Sequence, residues 1–167
     1  EDCRVPASAL MGAEGEGYKI AMKTLDMSRT WVGCGAVGIA QRAIDEAVAY
    51  GKQRVTFGKP ILKNQGLQFM IADMEIRVET ARQMVAHALK LMDAGMPYAR
   101  ESAIAKCYAG DIAVQNALDA IQILGGYGYS REYPVEKLLR DAKIFQIYEG
   151  TNQIQRMVIG KSVIGKF

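Results

Sequence analysis

The sequence is poor in the residues that build metal centres and imidazole-based catalysis. It holds one histidine, His87, and three widely spaced cysteines, Cys3, Cys34 and Cys107. No E-x-x-H pair and no Cys/His cluster occurs, which excludes di-iron and zinc centres. The odd number of cysteines fits no disulfide framework, so idle or buried thiols in a reducing compartment are expected. His87 is the sole imidazole for a Ser-His-Asp or Cys-His arrangement, and it falls in mid-helix, where it reads as a surface or packing residue. No apolar stretch is long enough to cross a bilayer, and no signal peptide pattern occurs. The formal charge of +3 is small and the basic residues are scattered. Neither a nucleic-acid nor a membrane partner is expected.

There are only four prolines in 167 residues, and half of the residues are hydrophobic. Such a chain can bury one sizeable core. Long segments of helical periodicity dominate. A first helix is expected from about Asp26 to Arg54, with Val32, Val37, Ile39, Ala40, Ala43, Ala47 and Val48 on its apolar face. Gly58 and Pro60 in "TFGKPI" end it. A second helix is expected from an Asn64 N-cap. Its seam reads Leu67, Met70, Ile71, Met74, Val78, Ala81, Val85, Leu89 and Met92. Gly95 stops that helix, and Pro97 opens a third, which runs to "ILGGYGYS". Pro134 starts a short helix through about Phe145, and a last one follows Thr151. The fold class is all-α: an up-and-down bundle of three long and two shorter helices. The opening "EDCRVP" lacks a Met and a helix start, and reads as the continuation of a longer protein.

Each local motif has a plain reading beside the functional one. "GCGAVG", Gly33 to Gly38, matches G-x-G-x-x-G, but no strand precedes it. Small residues that let two helices approach explain it better. "RVTFGKP" is either a helix end with a basic residue or a grip in which Arg54 forks onto phosphate, Thr56 lends a hydroxyl and Phe57 a stacking face. The glycines of "QILGGYG" either cap a helix or leave bare backbone for a ligand. "LDMSR" is a surface acid–base pair, Asp26 with Arg29, unless a ligand uses it. "QIYEGTNQIQR" places one carboxylate, Glu149, between an apolar run and a glycine, with a helix start just beyond. An acid there suits the helix dipole whether or not it does chemistry.

Taken in order, "RVTFGKP", Asn64–Gln65 and "QILGGYGYSREYPVEKLLRDAKIFQIYEGTNQIQR" resemble the C-terminal helical domain of the acyl-CoA dehydrogenase family. The likeness spans nearly the whole chain. It implies that residues 1–15 end the family's middle β-domain or a linker, and that 16–167 form the helical bundle. It implies that Glu149 is the catalytic base, with Gly150 touching substrate. FAD contacts are implied at Arg54, Val55 and Thr56, at Asn64 and Gln65, and at the loop Gln122, Ile123, Leu124, Gly125 and Gly126. Thr151, Asn152 and Gln153 would meet the flavin at a helix start, and Phe57 would pack at the cofactor site. Asp26, Met27, Ser28 and Arg29 match contacts to the CoA end of the substrate. Some branches of the family carry the base on the first long helix, at about Ser28 here, and serine cannot do that job. The chain therefore follows the short- and medium-chain pattern.

The implied reaction is removal of hydrogens from the α and β carbons of an acyl-CoA thioester. Glu149 would take the α proton while the β hydrogen leaves as hydride to flavin N5. A swinging carboxylate needs the latitude of Gly150. Ile144, Phe145 and Ile147 are expected to give apolar surroundings, which make a carboxylate a stronger base. The resemblance further implies an electron-transfer flavoprotein as acceptor, a homotetramer, and a bacterial cytoplasm or mitochondrial matrix. Two other readings stand beside this one at the level of sequence: a helical assembly module without chemistry, and a protein that binds acyl-CoA without oxidising it.

Overall fold

The structure, a computed structural model, describes residues 2–165. Five α-helices follow in order: α1 Gly17–Gln53, α2 Gln65–Asp93, α3 Ala99–Leu124, α4 Val135–Ile144 and α5 Asn152–Ile164. The first three form an up-and-down bundle, and the two shorter ones pack on it, as the periodicity predicts. The only strands among the described residues are β1 Val55–Thr56 and β2 Lys59–Pro60, an antiparallel pair between α1 and α2.

Two helix starts differ from expectation, and one expected N-cap forms without its side-chain bond. Helix α1 begins at Gly17 rather than near Asp26. Gly12 and Gly15 adopt left-handed backbone, and nothing after Gly17 interrupts a helix. Asp26 is therefore an interior helix residue and does not stand at a helix start. Asn64 holds the N-cap position of α2 with extended backbone, but its side chain makes no capping hydrogen bond. Helix α3 starts at Ala99, behind Tyr98 and not at Pro97.

The expected seam of α2 is the core seam. Met74, Val78, Ala81, Val85 and Ala88 are buried at alternating four- and three-residue steps, with Leu67, Met70, Ile71 and Leu89 packed beside them. Helix α3 runs through the centre and packs against all four other helices. Small side chains permit this: Ala103, Ala105, Ala109, Ala113, Ala117 and Ala120 are all fully buried. Helices joined through alanine can approach at the short end of the usual ~8–10 Å axis spacing. The "GCGAVG" stretch serves the same end in part. A Cβ at Gly33 would lie 3.0 Å from Val85, and one at Gly35 would lie 3.0 Å from the Phe145 ring, whereas Gly38 faces open space. Asn116, also fully buried, ties three helices: it donates to the carbonyls of Ala40 and Met74 and accepts from Arg77.

Candidate active site

Residues 145–151 leave α4, turn over the middle of α3 and enter α5. Gly110 of α3 lets the turn come close, since a Cβ there would stand 2.9 Å from the Phe145 carbonyl oxygen. At the apex Glu149 and Gly150 are both left-handed, at φ +56° and +84°. This is routine for glycine and uncommon for a carboxylate residue. Gln155 holds the apex from below, its Nε2 donating to the Glu149 carbonyl at 3.2 Å and the Gly150 carbonyl at 2.9 Å. Thr151 caps α5 by accepting from the Ile154 N–H at 3.3 Å.

The Glu149 carboxylate accepts a hydrogen bond from the Ser28 hydroxyl of α1. The two positions at which the resemblance implies a base in different family branches thus meet side by side. Around Ser28 the implied CoA-contacting stretch divides. Met27 is exposed, and Asp26 lines a shallow cleft with Lys23, Met96, Pro97 and Tyr98. Arg29 is only 5% exposed, so Asp26 and Arg29 are not the surface pair that their spacing suggests. The Arg29 guanidinium bonds Asp26 at 2.6 Å, while its buried Nε has no partner. Next to it Thr30 donates to Ser102, and Ser102 donates to the Asp26 carbonyl.

The expected apolar setting is only partly present. Phe145 packs on Gly35 and stands edge-on to Tyr148 at 5.5 Å. Ile144, the last residue of α4, and Ile147 in the turn face solvent, 45% and 50% exposed. Tyr148 is nonetheless desolvated enough to push its phenol pKa up, with the adjacent Glu149 charge adding to the effect.

The residues implied for FAD lie in two places. At the end of α1, Arg54 and Thr56 face Ile123, Leu124, Gly125 and Gly126 across a cleft of about 600 Å³. Gly125 is left-handed at φ +62°, and no atom lies within 4 Å of a Cβ built on Gly125 or Gly126, so backbone is bare there. The Arg54 guanidinium sits 5.7 Å from the centre of the Tyr127 ring. Tyr127 in turn packs with Tyr50 and Tyr133. A guanidinium, a hydroxyl, open backbone and aromatic faces suit a ligand that carries phosphate and rings, so these residues fit one part of a flavin dinucleotide. Gln122, Val55 and Gln65 are exposed and Asn64 is half-buried, and none of the four lines this cleft. Phe57 is fully exposed at the tip of the β1–β2 turn.

At the start of α5, Gln153 is exposed and Thr151 half-buried. Asn152 is buried instead: its side chain donates to the Cys107 carbonyl and Asp111, and its N–H donates to the Gln146 carbonyl. Its polar atoms are committed to the protein rather than open to a flavin. Burial raises the Asp111 pKa, but hydrogen bonds from Arg156, Asn152 and Gln146 outweigh it and hold the carboxyl below the usual range. Sequence reasoning missed this network, and it missed Lys106 beneath the turn. The Lys106 signal was available: it is the only charge in "AIAKCYAG". Among the described residues no cluster of metal-ligating side chains exists and no helix is long and apolar enough to cross a membrane.

A family model described as "Acyl-CoA dehydrogenase, C-terminal domain" matches residues 15–164. The chain is 52% identical over 165 residues to an acyl-CoA dehydrogenase of Bacillus subtilis, covering 99% of this chain and 44% of that protein. The structure of butyryl-CoA dehydrogenase from Megasphaera elsdenii superimposes with a TM-score of 0.95 at 50% identity, over 96% of this chain and 42% of that one. A chain from the structural study of the electron transferring flavoprotein of Acidaminococcus fermentans does so with a TM-score of 0.98 at 51% identity, over 99% and 44%. The chain spans less than half the length of the curated relatives it matches. It belongs to the acyl-CoA dehydrogenase family, as a C-terminal helical domain.

Proposed function

We propose that this chain works as the C-terminal domain of an FAD-dependent acyl-CoA dehydrogenase, with Glu149 as the base that removes the α proton of an acyl-CoA thioester. The observation that carries the reading is the left-handed Glu149–Gly150 apex, whose carboxylate rests on Ser28. Neither an assembly module nor a passive acyl-CoA binder needs a carboxylate held in uncommon backbone. The Ser28 hydroxyl orients the carboxylate, and Gly150 gives it freedom to swing. Asp26 to Arg29 lie on α1 around Ser28, and would meet the CoA end while the acyl carbons reach Glu149. Arg54, Thr56 and the bare backbone at Gly125–Gly126 would hold part of the FAD, with Thr151 and Gln153 near its ring. The flavin, when bound, supplies the acceptor for the β hydride.

A short acyl chain, an electron-transfer flavoprotein as acceptor and a homotetramer belong to the same proposal. The likeness to the butyryl-CoA enzyme and to the chain from the Acidaminococcus study supports the first two. The fully exposed Phe57 and the open Arg54 cleft suit a cofactor shared with a second copy. The test is Glu149→Gln in the full-length enzyme against a ladder of acyl-CoAs. FAD content and thioester affinity should persist while turnover falls by ~10²–10⁴-fold. Near-normal turnover would sink the assignment.

A further inference from the structure

Lys106 is fully buried at the centre of α3 and forms no ion pair among the described residues. A buried ammonium without a carboxylate partner is unfavourable, and a methionine of similar length would fill the same space. Stability alone does not account for it. Its partners point elsewhere. The Lys106 Nζ donates to the Gly150 carbonyl at 2.8 Å and to the Asn152 Oδ1 at 3.0 Å. One contact holds the apex of the turn and the other holds the first residue of α5. Together with Gln155, it leaves both carbonyls at the apex accepting buried donors. A left-handed non-glycine residue persists only where its surroundings over-determine it, and these donors do so.

We propose that Lys106 is a positioning residue for the Glu149 turn: its ammonium pins Gly150 to α3 and α5 and thereby fixes where the Glu149 carboxylate stands. The inference rests on reading Glu149 as the base. Charge matters as well as hydrogen bonding. The groups facing Lys106 are Cys107 and Asp111 on its own helix, Arg29 on α1 and Glu149 on the turn. From α5 it meets the neutral side chain of Asn152, Gln155 shares its Gly150 acceptor, and Arg156 is occupied with Asp111. Burial pulls the Lys106 pKa down to about 8, with the Cys107, Asp111 and Glu149 charges opposing and Arg29 reinforcing the fall. Above that pH the ammonium becomes an amine, its attraction for the Glu149 carboxylate ends, and its grip on the Gly150 carbonyl weakens.

The experiment uses the full-length FAD-loaded enzyme with butyryl-CoA, comparing wild type, Lys106→Met, Lys106→Gln and Glu149→Gln. Misplacement of a reacting group by about 1 Å can lower a rate by ~10²-fold, so Lys106→Met should lose between about 10- and 100-fold in kcat with KM little changed. Exchange of the thioester α proton with deuterium oxide should slow in parallel, because it reports the same deprotonation. Wild-type kcat should fall as pH rises through about 8, and Lys106→Met should lose that alkaline limb. Lys106→Gln keeps amide donors without a titrating charge, and should recover part of the rate but not the limb. Unchanged kcat and an unchanged limb in Lys106→Met would overturn the proposal. Should that variant not fold, wild-type kcat in Lys106→Gln with the alkaline limb unchanged overturns it equally. Full turnover by Glu149→Gln would instead remove the reading on which the inference rests. An inactive Glu149→Gln beside a normal Lys106→Met would refute the role of Lys106 alone.

Discussion

Replacing Gly110 with alanine tests whether the turn really stands on α3. The added Cβ would lie 2.9 Å from the Phe145 oxygen, 3.2 Å from its carbonyl carbon and 3.3 Å from the Asn152 Nδ2. Two of these are backbone atoms, and Asn152 is bonded on every polar atom, so none can swing aside as a flexible side chain would. Overpacking of this kind costs about 1–3 kcal/mol. Against it stands the helix propensity of alanine, better than glycine by about 1 kcal/mol. The net expectation is a loss of about 0–2 kcal/mol, by combining the two. Gly38→Ala isolates the propensity term, because nothing lies within 4 Å of its added Cβ. It should stabilise by about 1 kcal/mol. For a chain of this size each kcal/mol moves Tm by about 2–4 °C, so Gly110→Ala should melt about 2–12 °C below Gly38→Ala. Thermal unfolding followed by helical circular dichroism on the two variants gives the comparison. A Gly110→Ala that melts with or above Gly38→Ala would refute the close approach of turn and helix.

Two further perturbations probe the same region. Thr151→Ala removes the only side-chain cap on α5, and urea unfolding should show a loss of about 1 kcal/mol, as for other N-cap hydroxyls; no loss would mean the Ile154 N–H is satisfied by water. Asp111 has a folded pKa below its unfolded value near 3.8, so its stabilising contribution is present above that pH and disappears as pH falls through the lower folded value. Asp111→Asn should therefore be less stable than wild type at neutral pH, and the gap should close in strong acid; a gap of constant size across pH would contradict the Arg156, Asn152 and Gln146 bonding.

The parts of the fold that were legible in the sequence are those fixed by local periodicity and by breakers. The Met74–Val78–Ala81–Val85 spacing can bury one face only as a helix, and Gly95, Gly125 and Pro134 end or open elements where such residues should. The start of α1 was not legible, since the glycine-rich "MGAEGEGYKIAM" masks a helix that already begins at Gly17. At the candidate site, Glu149 and Gly150 were legible as an acid with a hinge. The support beneath them was carried by a single hint. A lysine within a helix is normally read as solvent-facing, and only its place as the sole charge in "AIAKCYAG" points Lys106 inward. Ile144 and Ile147 erred in the opposite direction: a hydrophobic residue at the last position of a helix or in an aperiodic turn has no local rule that says which way it faces.

Backbone conformation offers a separate line of argument. Besides Asp2 near the N-terminus, only Phe57 and Glu149 are non-glycine residues with positive φ among the described residues, and each is followed by a left-handed glycine. At Phe57 the cause is local. Thr56 pairs with Lys59, so Phe57 and Gly58 are the two central residues of a tight hairpin, and the favoured turn there demands positive φ at both. At Glu149 no hairpin exists to impose the same geometry. Its conformation is held instead by side chains reaching from α3 and α5, Lys106 and Gln155, onto the carbonyls of the apex. Strain that a turn type explains says little about function. Strain that two buried side chains must maintain, at the residue whose carboxylate meets Ser28, is what a site that needs its acid in one place requires.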